Sequence, residues 1–543
     1  MRICIVQSSF EGSNHPTEKY DPLCDPSRYV SPEIHQFEHR FVRKDHEKED
    51  IDRMCDENFD IYFSCLWGGP RDNVAGVDAA FYLETKGVTI LTNKAEAMRL
   101  HYNKQEFYAK AVAEGLSVPG NEPGRYPKIV KLGDAANSLE LSYDSICSSA
   151  DEVASRVAVV KEHTPDAEII VQDYIIGPEV SAVVVEMGHA VVALEPVEYI
   201  FPKDTPKEAA FLTFDNKFHA IGKGIIKTKI VKDEPRRSRI REAAQHCFKV
   251  MGMTNGGGWG RADMRVDSAT GKVYVLEMNI FPTLFYPKGA YTSDKMVMKT
   301  YPGGHAALFD MLLTTKLIQT RAAAKSHKSV SSFFDTFSST YDKIWETPTV
   351  KMMRGSVTHD FDWSGTVLDL ACGSGFLGQA ISERGYSSVV TGVDISPRMA
   401  SSKRIQTYYR QPIYIAPMEE FIMTSDSYDH IACFNGFQYL SPVMLTAVLS
   451  RMFMLAKKSV SFEADATPAE HIRAFEQRTG GGALYNSTHA IQRFPVPNGW
   501  RKVLEKPMLL FQSPHFNDDV YGCFYRFERI PETEMNGHSD DYL

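Results

Sequence analysis

Residues 258–279, with the sequence GWGRADMRVDSATGKVYVLEMN, constrain the fold more than any other stretch of this chain. Alternating polar and apolar residues on either side of a Ser/Thr/Gly cluster predict two strands joined by a turn. Because side chains two positions apart on a strand share a face, Asp263, Glu277 and Asn279 are expected to point into one pocket. Such oxygen ligands, with the guanidinium of Arg261 beside them, suit hard divalent cations that hold a polyphosphate. The alternative is a solvated hairpin whose charges face water.

The composition describes a folded chain of several domains. A length of 543 residues suggests about three or four domains, and 43% hydrophobic with 24% charged residues favours several cores over disorder. The net charge of −9 and the pI of about 6.0 argue against a general nucleic-acid-binding protein. No apolar run reaches transmembrane length, and the opening MRICIVQSSFEG predicts a first strand and not a signal peptide. Nine dispersed cysteines without CxxC pairs indicate reduced thiols, so a cytoplasmic location is expected.

A Ser-rich seam near residues 320–330 separates two α/β patterns. Before the seam, HAALFDMLLTTKLIQTRAAAK predicts a helix, which gives way to the polar SHKSVSS. Strands and helices alternate around residues 60–95, and a comparable pattern occupies residues 365–395. This alternation predicts two separate parallel-sheet units.

Three lysines of the N-terminal half lie where they could meet phosphate. Lys104 opens a predicted helix, Lys131 ends a strand before the small-residue loop GDAANS, and Lys217 lies in FDNKF. A lysine beside such a loop can pair with phosphate while backbone N–H groups hold the oxygens. Each lysine alone is more often a surface charge. Together with the 258–279 hairpin, they supply cations and metal ligands for one nucleotide.

The segment EIIVQDYIIGPEVSAVVV predicts two strands around a Gly-Pro-Glu turn. Glu179 follows the turn and could accept hydrogen bonds from ribose hydroxyls. Gln172 and Tyr174 share one face of the preceding strand, whose peptide groups could read an adenine edge.

These pieces, in this order, resemble ATP-grasp ligases, most closely the D-alanine–D-alanine ligase branch, over residues 1–320. The matching motifs are the Asn103-Lys104 helix start, IVK, IVQDYIIGPEV, DNKF, GWGRAD and LEMN. The resemblance implies ATP and two Mg²⁺ ions as cofactors, and an amide formed by attack of an amine on an acyl phosphate. It implies phosphate contacts from Lys104, Lys131, Lys217 and the loop residue Ser138, nucleoside contacts from Gln172 and Glu179, metal ligands Asp263, Glu277 and Asn279, and an oxyanion contact from Arg261.

The substrate-side segments depart from the family pattern. The glycine-rich loop after the first strand is replaced by QSSFEGSNHP, and the His-Gly segment by Leu66–Gly69. The loop normally rich in Gly and Ser is GDAANS, and Phe218 stands where a tyrosine is usual. The nucleotide half of the site therefore looks intact while the acyl and amine halves look altered. We expect a carboxylate–amine ligase that does not make D-alanyl-D-alanine, with amino acids as the substrates.

The C-terminal half contains TVLDLACGSGFLG at 366–378, in which a buried strand ends in an acid before a glycine turn and a helix. Asp394 follows at a spacing that suits ribose hydroxyls. The spacing alone also suits a dinucleotide, but the first turn is not GxGxxG. Residues from about 330 to 530 resemble class I S-adenosylmethionine-dependent methyltransferases.

That second resemblance implies S-adenosylmethionine as the methyl donor. It implies donor contacts from Asp369, Gly373, Gly375, Asp394, Met418, Glu419 and Asn435, with Tyr341 closing over the donor. Simple core packing is the alternative for Tyr341 and Met418. The NPPY-type sequence of nucleic-acid enzymes is missing, so a small-molecule acceptor is favoured. His430, His489 and Tyr439 are candidate bases, although each residue type is more often structural.

The predicted fold class is α/β multidomain: an N-terminal ATP-grasp fold with α+β subdomains around the nucleotide, then a Rossmann-like seven-stranded methyltransferase domain. The expected domains are an α/β domain preceding the ATP-grasp region at 1–100, a two-subdomain ATP-grasp domain at 101–320, a linker at 321–330 and a methyltransferase domain at 331–535.

The sequence predicts a bifunctional biosynthetic enzyme of specialised metabolism, which ligates a carboxylate to an amine with ATP and methylates a small molecule. One alternative makes the ATP-grasp region a non-catalytic nucleotide-binding module that regulates an active methyltransferase. Another has the C-terminal half bind the donor without turnover. No nucleic-acid or membrane partner is expected. Ligases of the resembled branch are commonly dimers, so a homodimer is one option.

Overall fold

The computed structural model describes all of the chain except residues 14, 16–17, 19–22, 71, 135–139, 207–208, 214–215, 217–224, 283, 288–290, 346–354, 356–360, 411, 513–518, 532–533 and 535–543. The chain divides into two compact units, called here the N-terminal unit (Met1–Met187 and Val191–Thr300) and the C-terminal unit (Tyr301–His538 with Gly188–Ala190). All nine cysteines are free thiols. No helix in the described part of the chain is both long and apolar enough to cross a membrane.

The N-terminal unit begins with a parallel sheet in the order β2-β1-β3-β4, flanked by helices. Its strands are β1 (Arg2–Ser8), β2 (Gln36–Val42), β3 (Ile61–Cys65) and β4 (Ile90–Leu91), and its helices are α1 (Glu47–Asp56), α2 (Val77–Glu84), α3 (Ala95–His101) and α4 (Lys104–Ala113). Strand β3, IYFSC, is buried throughout, as expected of a parallel strand covered on both faces. The first predicted parallel-sheet unit is thus confirmed.

Two further sheets complete the N-terminal unit. The small antiparallel sheet has the order β6-β5-β7, and the central sheet has the order β11-β10-β8-β12-β13 with β9 paired to β8. The elements are β5 (Lys128–Leu132), β6 (Ile146–Cys147), α5 (Ala150–His163), β7 (Ile169–Asp173), β8 (Glu179–Met187), β9 (Ala190–Ala193), β10 (Val197–Ile200), β11 (Lys227–Ile230), α6 (Arg236–Val250), β12 (Trp259–Val266), β13 (Val273–Asn279) and α7 (Thr292–Thr300).

The predicted 258–279 hairpin is present as strands β12 and β13. Asp263 pairs with Glu277 and Arg261 with Asn279, so all four side chains lie on one face. Asp267 closes the turn by accepting hydrogen bonds from the backbone N–H of the turn residues at 269 and 270.

The C-terminal unit is built on a sheet in the order β16-β15-β14-β17-β18-β20-β19, in which only β20 is antiparallel to its neighbours among the described strands. Its elements are α8 (Gly304–Gln319), α9 (Ala324–Trp345), β14 (Thr366–Leu370), α10 (Phe376–Glu383), β15 (Val389–Asp394), α11 (Pro397–Ala400), α12 (Lys403–Tyr408), β16 (Tyr414–Ile415), α13 (Met418–Thr424), β17 (Tyr428–Cys433), α14 (Pro442–Leu455), β18 (Ala456–Asp465), α15 (Ala469–Thr479), α16 (Thr488–Arg493), β19 (Trp500–Gln512) and β20 (Asp519–Arg529). The predicted seven-stranded Rossmann-like sheet is confirmed.

The segment between the two patterns differs from the linker predicted at 321–330. Helix α9 begins at Ala324, and the C-terminal unit already begins at Tyr301. Apolar residues of α9 recur at helical spacing, and the Phe333 ring packs 4.8 Å from Phe337 and 5.0 Å from Phe475. The serines therefore lie on a helix that has an apolar face.

Candidate active sites

An open pocket of about 830 Å³ in the N-terminal unit is lined by residues of the small and central sheets. Its charged wall contains predicted site residues from α4, β5, β8 and the hairpin, namely Lys104, Lys131, Glu179, Asp263 and Glu277, together with Arg265. Apolar residues from both sheets, such as Ile129 and Leu276, complete the wall. The solvated-hairpin alternative is wrong, because Asp263 is only 7% exposed.

Two lysines approach the Glu277 carboxylate from different elements. Lys104 is the first residue of α4, and its Nζ lies 3.8 Å from Glu277 Oε2. Lys131 on β5 donates a hydrogen bond to the Tyr108 hydroxyl at 2.8 Å. Desolvation in the pocket lowers the pKa of Lys131 to about 8, against the opposing effect of the Glu277 charge. The lysines thus supply positive charge to the pocket wall.

Asp263 is the centre of a hydrogen-bonded group on the hairpin. Its carboxylate accepts from Arg261 Nε and Nη2 at 2.7 and 2.8 Å and from Asn279 Nδ2 at 2.6 Å. The Ser181 hydroxyl donates to it at 2.7 Å. Arg261 and Asn279 therefore lie against Asp263 and are not part of the pocket wall, whereas Glu277 faces the pocket directly.

Glu179 takes part in an ion pair that the sequence interpretation missed. Glu179 Oε2 accepts from the Leu212 backbone N–H at 3.2 Å and from Arg265 Nη1 at 3.3 Å. The Arg265 guanidinium also lies 4.7 Å from the centre of the Tyr174 ring. Gln172 lines the pocket and donates to the Pro119 carbonyl at 3.2 Å. The alternation of Arg265 with Asp263 on one strand was the sequence feature that could have placed Arg265 at the same pocket.

Two predicted ligase residues, Lys217 and Ser138, lie outside the described residues, as does Phe218. Their roles stay predictions.

A second open pocket, of about 710 Å³, lies within the C-terminal unit at the carboxyl ends of β14, β15 and β17. It is called here the donor pocket, because several residues predicted to contact the methyl donor lie in its wall. Helix α9 contributes residues to its wall, as does the start of α13. The predicted donor-binding residues in the wall are Gly373, Asp394, Met418, Glu419 and Asn435, and Tyr341 lines it as well. Tyr341 and Met418 therefore face the pocket.

The turn after β14 is shaped by backbone conformation and by one carboxylate. Ala371 and Gly373 have φ values of 56° and 53°, and Asn435 after β17 has a φ of 57°. Asp394 accepts from the backbone N–H of Gly373 and of Ser396, each at 2.8 Å. Burial raises the pKa of Asp394 to about 6, although these two hydrogen bonds lower it.

Asp369 and Gly375 lie behind this wall. Asp369 accepts a 2.5 Å hydrogen bond from the Tyr409 hydroxyl, and burial raises its pKa to about 7. A Cβ at Gly375 would meet Ile405 and Tyr409 at about 3 Å, so this glycine permits close packing at the start of α10. Both residues therefore lie against Tyr409. Their predicted contacts with the methyl donor stay predictions.

One wall residue, His327 on α9, was missed because its segment was interpreted as a linker. Its Nε2 lies 2.7 Å from Glu419 Oε1. Burial lowers the pKa of His327, but the hydrogen bond and charge of Glu419 raise it above its usual value overall. No sequence pattern connected these two positions.

The three candidate bases have different surroundings. His430 is buried between Ser459 and the Ser364 carbonyl at 2.7 and 3.2 Å, and burial lowers its pKa to about 4, which indicates a structural role. His489 is exposed on α16. Tyr439 lines the donor pocket.

Comparison with known proteins identifies two segments of the chain. Residues 116–287 match the family model described as D-ala D-ala ligase C-terminus, and residues 367–459 match the model described as methyltransferase domain. The chain therefore carries an ATP-grasp, D-alanine–D-alanine-ligase-like region followed by a methyltransferase domain.

The chain is also similar to individual proteins. The chain is 27% identical over 285 residues to a D-alanine–D-alanine ligase of Polynucleobacter asymbioticus, covering 50% of this chain and 77% of that protein. It is 27% identical over 157 residues to the ligase of Polaromonas naphthalenivorans, covering 29% of this chain and 43% of that protein. A crystal structure of the Bacillus anthracis ligase complexed with ATP aligns with a TM-score of 0.43 at 15% identity, covering 59% of this chain and 99% of that one.

The residues present fit the cofactors that these families imply. Two carboxylates and an amide oxygen on paired strand positions, beside two lysines, suit Mg²⁺ and phosphate groups. No group of three or more His, Cys, Asp or Glu side chains forms a metal cluster in the described ranges, so a cation here would also need Asn279 or nucleotide oxygens. A buried acid beside a glycine turn suits the ribose of a nucleoside donor.

Proposed function

We propose that the chain is a bifunctional enzyme: an ATP-dependent ligase that joins a carboxylate of the amino-acid type to an amine, and a methyltransferase that methylates a small molecule with S-adenosylmethionine. The observation that carries the ligase half is the convergence of Lys104, Lys131, Glu179, Asp263 and Glu277 on one pocket. These side chains come from five elements, α4, β5, β8, β12 and β13, spread over more than half of the N-terminal unit.

The side chains of this pocket have separable tasks in the proposed ligase. Lys104 and Lys131 bind phosphate oxygens, and Glu179 binds ribose hydroxyls. Asp263, Glu277 and Asn279 would hold Mg²⁺, which when bound neutralises phosphate charge. Arg261, whose rigid fork of donors now binds Asp263, stabilises negative charge on the reacting carbonyl oxygen.

In the proposed methyltransferase, the pocket of the C-terminal unit binds the methyl donor. Asp394 holds the ribose, and the residues around Met418 and Glu419 surround the base. The altered substrate loops of the ligase half and the acidic net charge support small-molecule substrates and a place in specialised metabolism.

Incubation with amino acid and amine panels, Mg²⁺, ATP and S-adenosylmethionine, followed by mass spectrometry and ADP measurement, tests this function. Lys131→Ala and Glu277→Gln should each lower ADP release by on the order of 100-fold or more, because each removes charge stabilisation at the phosphates. Lys161→Ala, an exposed lysine on α5, is the matched control. Absence of ADP release with every carboxylate–amine pair would exclude the ligase.

The bidentate pair between Arg261 and Asp263 favours a second candidate function, because the guanidinium already binds a carboxylate that was predicted to hold a metal ion. In that candidate the N-terminal unit binds nucleotide without turnover and regulates the methyltransferase. Nucleotide binding that changes the methylation rate while no ADP forms would support it.

A further inference from the structure

Two carboxyl groups lie at the carboxyl end of β18, beside the donor-binding elements. Glu463 and Asp465 are two positions apart on the strand, so they share a face, and they are 6% and 2% exposed. Asp465 Oδ1 is buried without a hydrogen-bond partner. Burial raises the pKa of Asp465 to about 6, while a hydrogen bond with Glu463 lowers it. A buried carboxylate oxygen of this kind is costly for folding.

The backbone connects Asp465 with the donor pocket. The Asp465 N–H donates to Ser487 Oγ at 2.8 Å, and the Ser487 N–H donates to the Asp465 carbonyl at 3.2 Å. Two residues earlier, the Tyr485 N–H donates to the Gln438 carbonyl at 2.7 Å. The Gln438 side chain donates to Asn435 Oδ1 at 2.7 Å, and Asn435 is part of the pocket wall. Asp465 is therefore connected to that wall through Ser487, Tyr485 and Gln438.

Aromatic rings line the donor pocket, and one of them, Tyr439, interacts electrostatically with Asp465. The Tyr439 ring is 5.5 Å from Phe334 and 5.8 Å from Phe475, and both Tyr439 and Phe334 line the donor pocket. Burial raises the pKa of Tyr439, and the charges of Tyr341 and Asp465 raise it further, so the phenol stays neutral and within electrostatic reach of Asp465. Neutral aromatic faces attract cations.

We propose that Asp465 and the rings of Tyr439 and Phe334 bind the ammonium group of the methyl acceptor, so that the acceptor is an amine. This inference rests on the proposed methyltransferase function and names its substrate class. The buried carboxylate supplies a negative charge that pairs with the ammonium group, and the rings exclude water around this cation.

The same carboxylate would accept the proton that the reaction must release. The proton passes from the ammonium nitrogen to Asp465, and the freed nitrogen lone pair forms the bond to the donor's methyl carbon. The carbon–sulfur bond breaks and its electron pair stays on sulfur, which becomes neutral. The product is the methylated ammonium ion. The free amino group of an amino-acid-type ligation product belongs to this class of acceptor.

Calorimetry on the full chain with S-adenosylhomocysteine bound tests acceptor class without turnover. Phenethylamine and phenylalaninamide are the amine probes, and 2-phenylethanol and 3-phenylpropionate are the neutral and anionic controls. We expect only the amines to bind, and Asp465→Asn to weaken them on the order of 100-fold. Asp426→Asn, an exposed acid of the same unit, should change nothing. Failure of the wild type to bind either amine, preference for the alcohol or acid, or undiminished amine binding by Asp465→Asn would overturn the proposal.

Unfolding measurements separate this role from a structural one. Asp465→Asn relieves a buried carboxylate, so its Tm should be unchanged or higher, whereas a structural role requires a lower Tm. Glu463→Gln provides a second variant, and it should weaken amine binding while keeping donor affinity. If the wild-type chain does not bind S-adenosylhomocysteine at all, the proposed methyltransferase function is wrong, and the proposed amine site falls with it.

Discussion

At the residue scale, the two pockets show how burial prepares side chains for charged ligands. Burial lowers the pKa of Lys131 and raises the pKa of Asp394, because desolvation disfavours the charged form of each side chain. Perturbed pKa values of this kind cluster at functional sites. They also make ligand binding depend on pH in a direction that can be worked out.

Nucleotide binding should be accompanied by proton uptake at Lys131. With its pKa lowered to about 8, the side chain is mostly neutral at pH 9, and phosphate charge would restore the ammonium form. Calorimetric titration of a non-hydrolysable ATP analogue at pH 9, in buffers of different ionisation enthalpy, should show uptake approaching one proton. Lys131→Arg, which is always charged, should abolish the uptake, whereas Lys161→Arg should retain it. Equal uptake by Lys131→Arg would assign the proton to another group.

At the element scale, each pocket depends on turns that hold strand ends in place. The turn before β12 is organised by Glu186, which is 1% exposed. Its carboxylate accepts from the backbone N–H of Asn255, Gly256 and Gly257 at 2.5, 3.1 and 2.8 Å. This turn sets the entry of β12, the strand that carries Arg261 and Asp263, so Glu186 is a positioning residue for the ligase pocket.

Substituting Glu186 by Gln should therefore destabilise the N-terminal unit. Charge-assisted hydrogen bonds to buried backbone donors would be weakened, at a cost of about 1–3 kcal/mol. Urea denaturation, followed by fluorescence, measures the change. Glu162→Gln, an exposed acid on α5, should stay within about 0.5 kcal/mol of wild type. A Glu186→Gln variant as stable as this control would show that the turn holds without the carboxylate.

At the scale of the whole molecule, the chain consists of two units with a ligand pocket in each. Each unit has its own sheets and buried core. Fusion of two such units raises the effective concentration of a shared intermediate without requiring that their pockets communicate.

The two ligand sites should consequently tolerate each other's substitutions. Glu277→Gln should abolish ADP formation while the affinity for S-adenosylmethionine stays within about twofold, since the two pockets share no lining residue and sites without shared partners act independently. Asp394→Asn should weaken S-adenosylmethionine binding and leave ADP formation unchanged. Isothermal titration of nucleotide and of S-adenosylmethionine on both variants measures how far each substitution affects the other site. A change of tenfold or more in the ligand affinity of the unsubstituted site would indicate allosteric regulation and favour the second candidate function.

The sequence by itself determined the alternation of strands and helices in both parallel-sheet patterns, the 258–279 hairpin, the helix start at Lys104 and the strand position of Lys131, because these follow from local periodicity and turn chemistry. The shared face of Arg261 and Asp263, and that of Glu277 and Asn279, followed from the period of two along a strand. The resemblance to two families, which the family models support, added the expected cofactors.

Only the tertiary structure decided which side chains meet across elements distant in sequence. It paired Glu179 with Arg265 and Asp369 with Tyr409, and within strand β12 it brought the Arg261 guanidinium onto Asp263. It also made the supposed linker a helix whose His327 faces the pocket. Local patterns specify which face of an element a residue occupies, but partners across a pocket depend on how several elements pack, and that packing has no local signature.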